Sequence, residues 1–171
     1  LLPEIVMRRF AATAALIVLM LSPQVRAQEA APDPRTETIA VADAYMAAYQ
    51  ELDEAALAGF YADDARFFDP TSYDMPGFAA PFDFQGRDAI LAGIASFKSD
   101  YGLVRVPYAV TTKIAGMHDV AYIGEVQSEV RVQGEIQRYA YPIVTIIRVA
   151  GGKVIEHRDY VDYPAGRPIT P

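Results

Sequence analysis

The sequence predicts an α+β fold, a curved antiparallel sheet wrapped as a cone over N-terminal helices. Three observations lead to it. Helical apolar periodicity marks residues 39–52 and the stretch "GRDAILAGIASFKS". After Tyr101 the pattern becomes long runs rich in β-branched residues, separated by Gly116, Gly134 and Gly151-Gly152. Helices first and strands second is the order of an α+β domain, not of alternating α/β units. A curved sheet over a helix encloses a cone-shaped cavity, suited to a small molecule.

The chain of 171 residues opens with a segment that reads as a leader. Arg8 and Arg9 precede an apolar run, Ala11 to Leu21, too short to span a bilayer, and Val25-Arg26-Ala27 fits a peptidase site. Residues 1–27 are therefore expected to be a signal peptide with Met7 as the true start, giving a periplasmic or secreted protein whose mature chain begins at or near Gln28. Residues 28–36, "QEAAPDPRT", read as a disordered tether, residues 37–163 as one domain, and 164–171 as a C-terminal tail.

Within the domain, Ile39, Ala42, Met46 and Tyr49 form one apolar stripe, and Val41, Tyr45, Ala48 and Leu52 the next, so the first helix buries a wide face. Asp53 suits the N-cap of a short second helix carrying Leu57, Phe60 and Tyr61. "ADDA" reads as a turn and "RFFD" as a short strand. Pro70 to Gly86 lacks a period and is rich in Pro, Gly and aromatics, as functional lids often are. A third helix follows, with Ile90, Ile94 and Phe97 on one face. Four antiparallel strands complete the domain. In the second of them apolar Val120, Tyr122, Val126 and Val130 alternate with polar neighbours such as Glu125, Gln127 and Glu129, so one face is buried and the other solvated. Tyr139 and Tyr141 are assigned to the face away from the cavity.

Charge and composition narrow the function. The chain carries a net −7, and loss of the leader removes Arg8, Arg9 and Arg26 against only Glu4, which makes it more acidic. That argues against nucleic acid as a partner, and against a membrane surface after cleavage of the leader. With no cysteine and only His118 and His157, neither a metal nor another cofactor is expected. The expected partner is a small hydrophobic molecule, together with a second copy of the chain paired through the sheet.

Asp69, after Phe67 and Phe68 and before Pro70, is an acid in an apolar setting. It is either a turn residue capping its own backbone or a poised base whose pKa is raised by desolvation. His157 and Asp159 lie two apart on one strand and share a face with Ile155 and Val161, so Asp159 can fix the tautomer of the imidazole.

The element order, with "YADDA", "GRDAI" and "GGKVIEHRDYVD", resembles the nuclear-transport-factor-2-like superfamily, which includes SnoaL-like polyketide cyclases, ketosteroid isomerases and limonene-epoxide hydrolases. The resemblance implies a cystatin-like α+β barrel with a pocket. "VADAYMAAYQELDEAALAGFYADDARFFDP" is similar to the start of ketosteroid isomerases, which implies an oxyanion-stabilising role for Tyr45 and a general-base role for Asp69. On the strand "YPIVTII" the chain has Ile143 or Val144 where those isomerases carry a second, protonated acid. "RDYVD" resembles the epoxide-hydrolase segment with the water-activating acid, which implies that role for Asp159. The catalytic candidates are thus Asp69, Tyr45, Asp159 and His157. The expected wall is Phe67, Tyr73, Tyr49, Val126, Ser128, Val144 and Val161. The chemistry is acid–base, of the isomerase, cyclase or epoxide-opening kind. A non-catalytic binder of a hydrophobic molecule is the alternative.

Overall fold

Helix α1 (Thr36–Gln50) buries Thr38, Ala42, Tyr45, Met46 and Tyr49 along one face. This is a computed structural model, and it describes residues 33–75 and 78–169. The leader and the first part of the tether lie outside the described residues. Leu52 falls just past the helix end, at φ 50°, a left-handed conformation that costs a non-glycine residue about 1–2 kcal/mol. Full burial of its side chain offsets that cost by about 1.5–3 kcal/mol. Helix α2 (Glu54–Phe60) starts as expected, with the Asp53 carboxylate accepting from the Ala56 amide at 3.1 Å.

Strand β1 (Tyr61–Asp69) takes in the "ADDA" that the sequence assigns to a turn. Its register slips between Tyr61 and Arg66, so Asp63 and Asp64 bulge into solvent and the strand continues. A 3-10 turn (Pro70–Asp74) follows, and β2 (Phe82–Gln85) pairs back onto β1. Part of the expected lid is therefore sheet. Helix α3 (Arg87–Tyr101) buries Ile90, Gly93 and Ile94.

The first long run of the sheet half divides into β3 (Leu103–Arg105) and β4 (Tyr108–Ala115), both paired with β5 (Asp119–Val132). Pro107 has no N–H to give to a ladder. The neighbouring donors go to the end of α1: Val106 N–H to the Gln50 carbonyl at 2.8 Å, and Tyr108 N–H to Gln50 Oε1 at 2.9 Å. Strand β6 (Glu135–Ala150) pairs with β5 from end to end, and β7 (Lys153–Val161) returns through Gly151 and Gly152, both at positive φ as a tight hairpin needs.

The path of the sheet is β2-β1-β7-β6-β5-β3. All pairings are antiparallel except β1 with β7, which is parallel, so the sheet is mixed. Residues 164–171, expected to be a tail, contribute β8 (Arg167–Pro168) on the edge of β6. The helices lie against the concave face, and the core runs through Tyr45, Leu57, Tyr61, Ile90, Ile94, Val120, Ile147 and Val154.

Gly124 marks the sharpest approach between strands. A Cβ there would lie 2.1 Å from the Ala109 carbonyl oxygen, where the β4–β5 register shifts. Backbone cannot move aside as a flexible side chain can. Gly124→Ala is expected to lower stability by about 1–3 kcal/mol, as overpacking does. A urea midpoint unchanged from wild type would contradict this.

Candidate active site

The concave face, α1, α3 and the segment after β1 enclose a cavity of about 200 Å³. Most of its wall is apolar or aromatic. Its charged groups are Asp69 and Asp159.

Asp69 ends β1 and is 3% exposed. One oxygen, Oδ1, accepts from Thr71 N at 2.9 Å, Ser72 N at 2.9 Å and Thr71 Oγ1 at 2.7 Å. The other, Oδ2, accepts from the Tyr163 hydroxyl at 2.6 Å. Thr71 Oγ1 also accepts from Val161 N at 2.7 Å, which ties the end of β1 to the end of β7. Ser72 Oγ donates to the Asp69 carbonyl and accepts from Phe82 N, both at 2.7 Å, fixing the start of β2. Asp69 thus caps its own backbone, as one sequence reading has it, and also lines the cavity. Desolvation by burial pushes its carboxyl above the usual range against the pull of these bonds, and the nearby Asp159 adds to the rise.

That direction has a consequence for stability. Since the native fold holds the proton more tightly than the unfolded chain does, the stability Asp69 contributes is full below its ordinary value of 3.8 and is lost as pH rises through the raised native value. Asp69→Asn has no such titration. In paired unfolding curves the variant should therefore gain on wild type between that ordinary value and neutrality. A constant difference across that window would contradict the raised carboxyl.

Asp159 lies on β7, where the alternation that buries His157 and Val161 turns it inward. Thr145, directly across on β6, donates to Oδ1. The Tyr108 hydroxyl lies 3.0 Å from Thr145 Oγ1. His157 Nε2 is 3.0 Å from Asp159 Oδ2, within ion-pair range, but two side chains at i and i+2 stand side by side and the N–H is poorly aimed. The other imidazole nitrogen, Nδ1, lies 2.6 Å from the Tyr45 hydroxyl, which is 2.5 Å from that of Tyr61. Burial raises the pKa of both tyrosines, so both stay protonated.

The partners assign the proton order. With its hydrogen on Nε2, toward the Asp159 carboxylate, His157 accepts at Nδ1 from Tyr45, which accepts from Tyr61. Tyr108, Thr145 and Asp159 form the second arm. The second arm ends in a hydrogen bond to Asp159, from Thr145, while the first ends at the poorly aimed N–H of His157.

Of the residues expected from sequence, Phe67, Tyr49, Val126, Ser128 and Val161 line the cavity, with both aspartates. Tyr45 and His157 do not. They are fully buried behind the wall, so Tyr45 has no route to a ligand oxyanion in this arrangement. Tyr73 is 62% exposed and faces solvent, because its 3-10 turn presents Met75 inward instead. Val144 lies on the outer face opposite Tyr160, because inward positions on β6 are Ile143, Thr145 and Ile147. By the same parity Tyr141, expected outside, lines the cavity. Thr145, Tyr108 and Tyr163 were not anticipated; a lone Thr amid "IVTII" was the one available signal.

Three helices inside a strongly curled mixed sheet, around a carboxylate-bearing cavity, define an NTF2-like α+β cone. The model of the SnoaL-like domain family matches residues 42–157, and the chain belongs to that family. Solved structures of similar fold include a candidate SnoaL-like polyketide cyclase from Shewanella denitrificans OS-217, at 21% identity and TM-score 0.64, covering 76% of this chain and 93% of that one. An NTF2-like protein from Burkholderia xenovorans LB400 aligns at 21% identity and TM-score 0.56, covering 75% and 92%. An LEH-like epoxide hydrolase of M. tuberculosis aligns at 18% identity and TM-score 0.55, covering 76% and 86%. None of the curated proteins compared matches the chain.

Proposed function

We propose that this is an exported small-molecule pocket protein performing metal-free acid–base chemistry on an apolar cyclic substrate, with Asp159 as the proton acceptor. One observation carries the choice of Asp159. Among the described residues it is the cavity carboxylate with an oxygen, Oδ2, that accepts no well-aligned hydrogen bond. The oxygens of Asp69 are engaged by four donors. A base must reach its proton within hydrogen-bond distance, and a free lone pair is the precondition.

Proton transfer beside a carbonyl and epoxide opening by activated water both begin with that step. As Asp159 gains a proton at Oδ2, Thr145 stays on Oδ1. Asp69 acts through the wall, fixing Tyr163 and the end of β7. Tyr141 lines the cavity and its hydroxyl makes no hydrogen bond among the described residues, so it can donate to a ligand oxygen, the part expected of Tyr45.

The binder reading draws on a different observation, the uptake of Asp69 and Tyr45 by partners within the protein. The two readings part in one experiment. Cyclic enones, β,γ-unsaturated ketones and cyclic epoxides are incubated with the protein in heavy water. Isomerisation, carbon deuteration or diol formation by wild type, lost in Asp159→Asn, supports the enzyme. Panel members bound but unchanged leave the binder.

A further inference from the structure

We propose that the ligand of this cavity carries a positive charge: a protonated amine on a flat apolar body. The inference rests on reading the cavity as the ligand site and not on turnover: an ammonium held at Asp159 occupies the oxygen that the proposed proton transfer uses, so this ligand is bound in place of the carbonyl or epoxide substrate.

The cavity wall holds nine aromatic side chains and two carboxylates, and no Lys, Arg or His side chain among the described residues. His157, the nearest base, stands behind Asp159 and not beside the ligand space. An anionic ligand would meet two acids and no counter-charge. A neutral alcohol could donate to Asp159 but would leave its charge uncompensated.

An ammonium group meets both needs at Asp159. The residue lines the cavity and is 4% exposed, and its Oδ2 accepts no aligned hydrogen bond. A desolvated carboxylate oxygen in that state is costly, and a charge-assisted N–H···O bond is the strongest remedy for it. Aromatic side chains beside the two acids, Tyr49, Phe67, Tyr108 and Tyr163, offer π systems that attract the same cation. Farther along, Phe82 and Phe97 provide a surface for an apolar ring. The net charge of −7 draws cations toward the molecule and repels anions.

The test is a matched set of probes on the full chain near neutral pH: 2-naphthylmethylamine, 2-naphthylmethanol and 2-naphthoate, measured by calorimetry. The amine should bind about 10-fold or more tightly than the alcohol, and naphthoate the most weakly. In Asp159→Asn the preference for amine over alcohol should fall to about 3-fold or less. Should that variant not fold, Ser128→Lys places a cation on the wall with both acids intact and should likewise remove the preference. Alcohol or naphthoate matching the amine, no amine binding at millimolar concentration, or a preference that survives in the folded variant would each overturn the proposal. Amine preference without turnover of the carbonyl and epoxide panel would remove the proposed chemistry alone. Turnover without amine preference would remove this inference alone.

Discussion

Asp159→Asn is expected to lower turnover by about 10²–10⁴-fold, the share that a positioned general base supplies. The fold should survive the change, because the surrounding network can reverse. An asparagine oxygen still accepts from Thr145. Its amide nitrogen then faces His157, which can move its hydrogen to Nδ1, donate to Tyr45 and leave Tyr45 donating to Tyr61. Each group keeps a partner and only the base is lost. Unfolding midpoints within about 1 kcal/mol of wild type, as for a nearly isosteric change, should accompany the fall in rate. Asp69→Asn should cost far less, about 10-fold at most, because it acts through Tyr163 and the strand ends. Equal turnover in all three proteins would remove both acids from any chemical role.

The second large effect is on stability. His157→Ala should destabilise the fold by about 3–6 kcal/mol. The imidazole is fully buried, with the rings of Tyr49 and Phe67 each 4.5 Å away, centroid to centroid. Truncation leaves a void comparable to that of a lost aromatic ring and strips the Tyr45 hydroxyl of its acceptor. His157→Gln, whose amide oxygen can accept from Tyr45, should recover part of the loss. Tyr45→Phe should cost about 1–3 kcal/mol, because it deletes two hydrogen bonds, to His157 and to Tyr61, without opening a cavity. A His157→Ala midpoint within about 1 kcal/mol of wild type would show that the ring contributes little to packing.

The helices were legible because their apolar spacing is long and regular, and the Asp53 cap because its geometry is local. Strand β2 was not. Phe82 and Phe84 alternate with Asp83 and Gln85, but four residues inside an aromatic, proline-rich stretch carry too little period to stand out. The face of β6 was misread for a related reason. In "YPIVTII" both faces are apolar, so alternation cannot choose between Ile143 and Val144, and the choice carries Tyr141 with it. Tyr45 shows a third limit. A helical stripe tells that a side chain goes inward, but not that an imidazole from a strand 112 residues away will stand between it and the cavity. The parallel pairing of β1 with β7 was invisible because it joins segments far apart in the sequence.

That pairing governs when the protein acquires its site. Asp69 meets Tyr163 across 94 positions, and Thr71 meets Val161 across 90. Such contacts carry a high loop-closure cost and come late in folding, after local helices and the β5–β6 hairpin can form. During synthesis neither acid can take its place until β7 has left the ribosome. A chain stopped before residue 150 would keep most of its helices yet lack both Asp159 and the partner strand that anchors Asp69. Assembly of the cavity with both of its acids is thereby coupled to the arrival of β7.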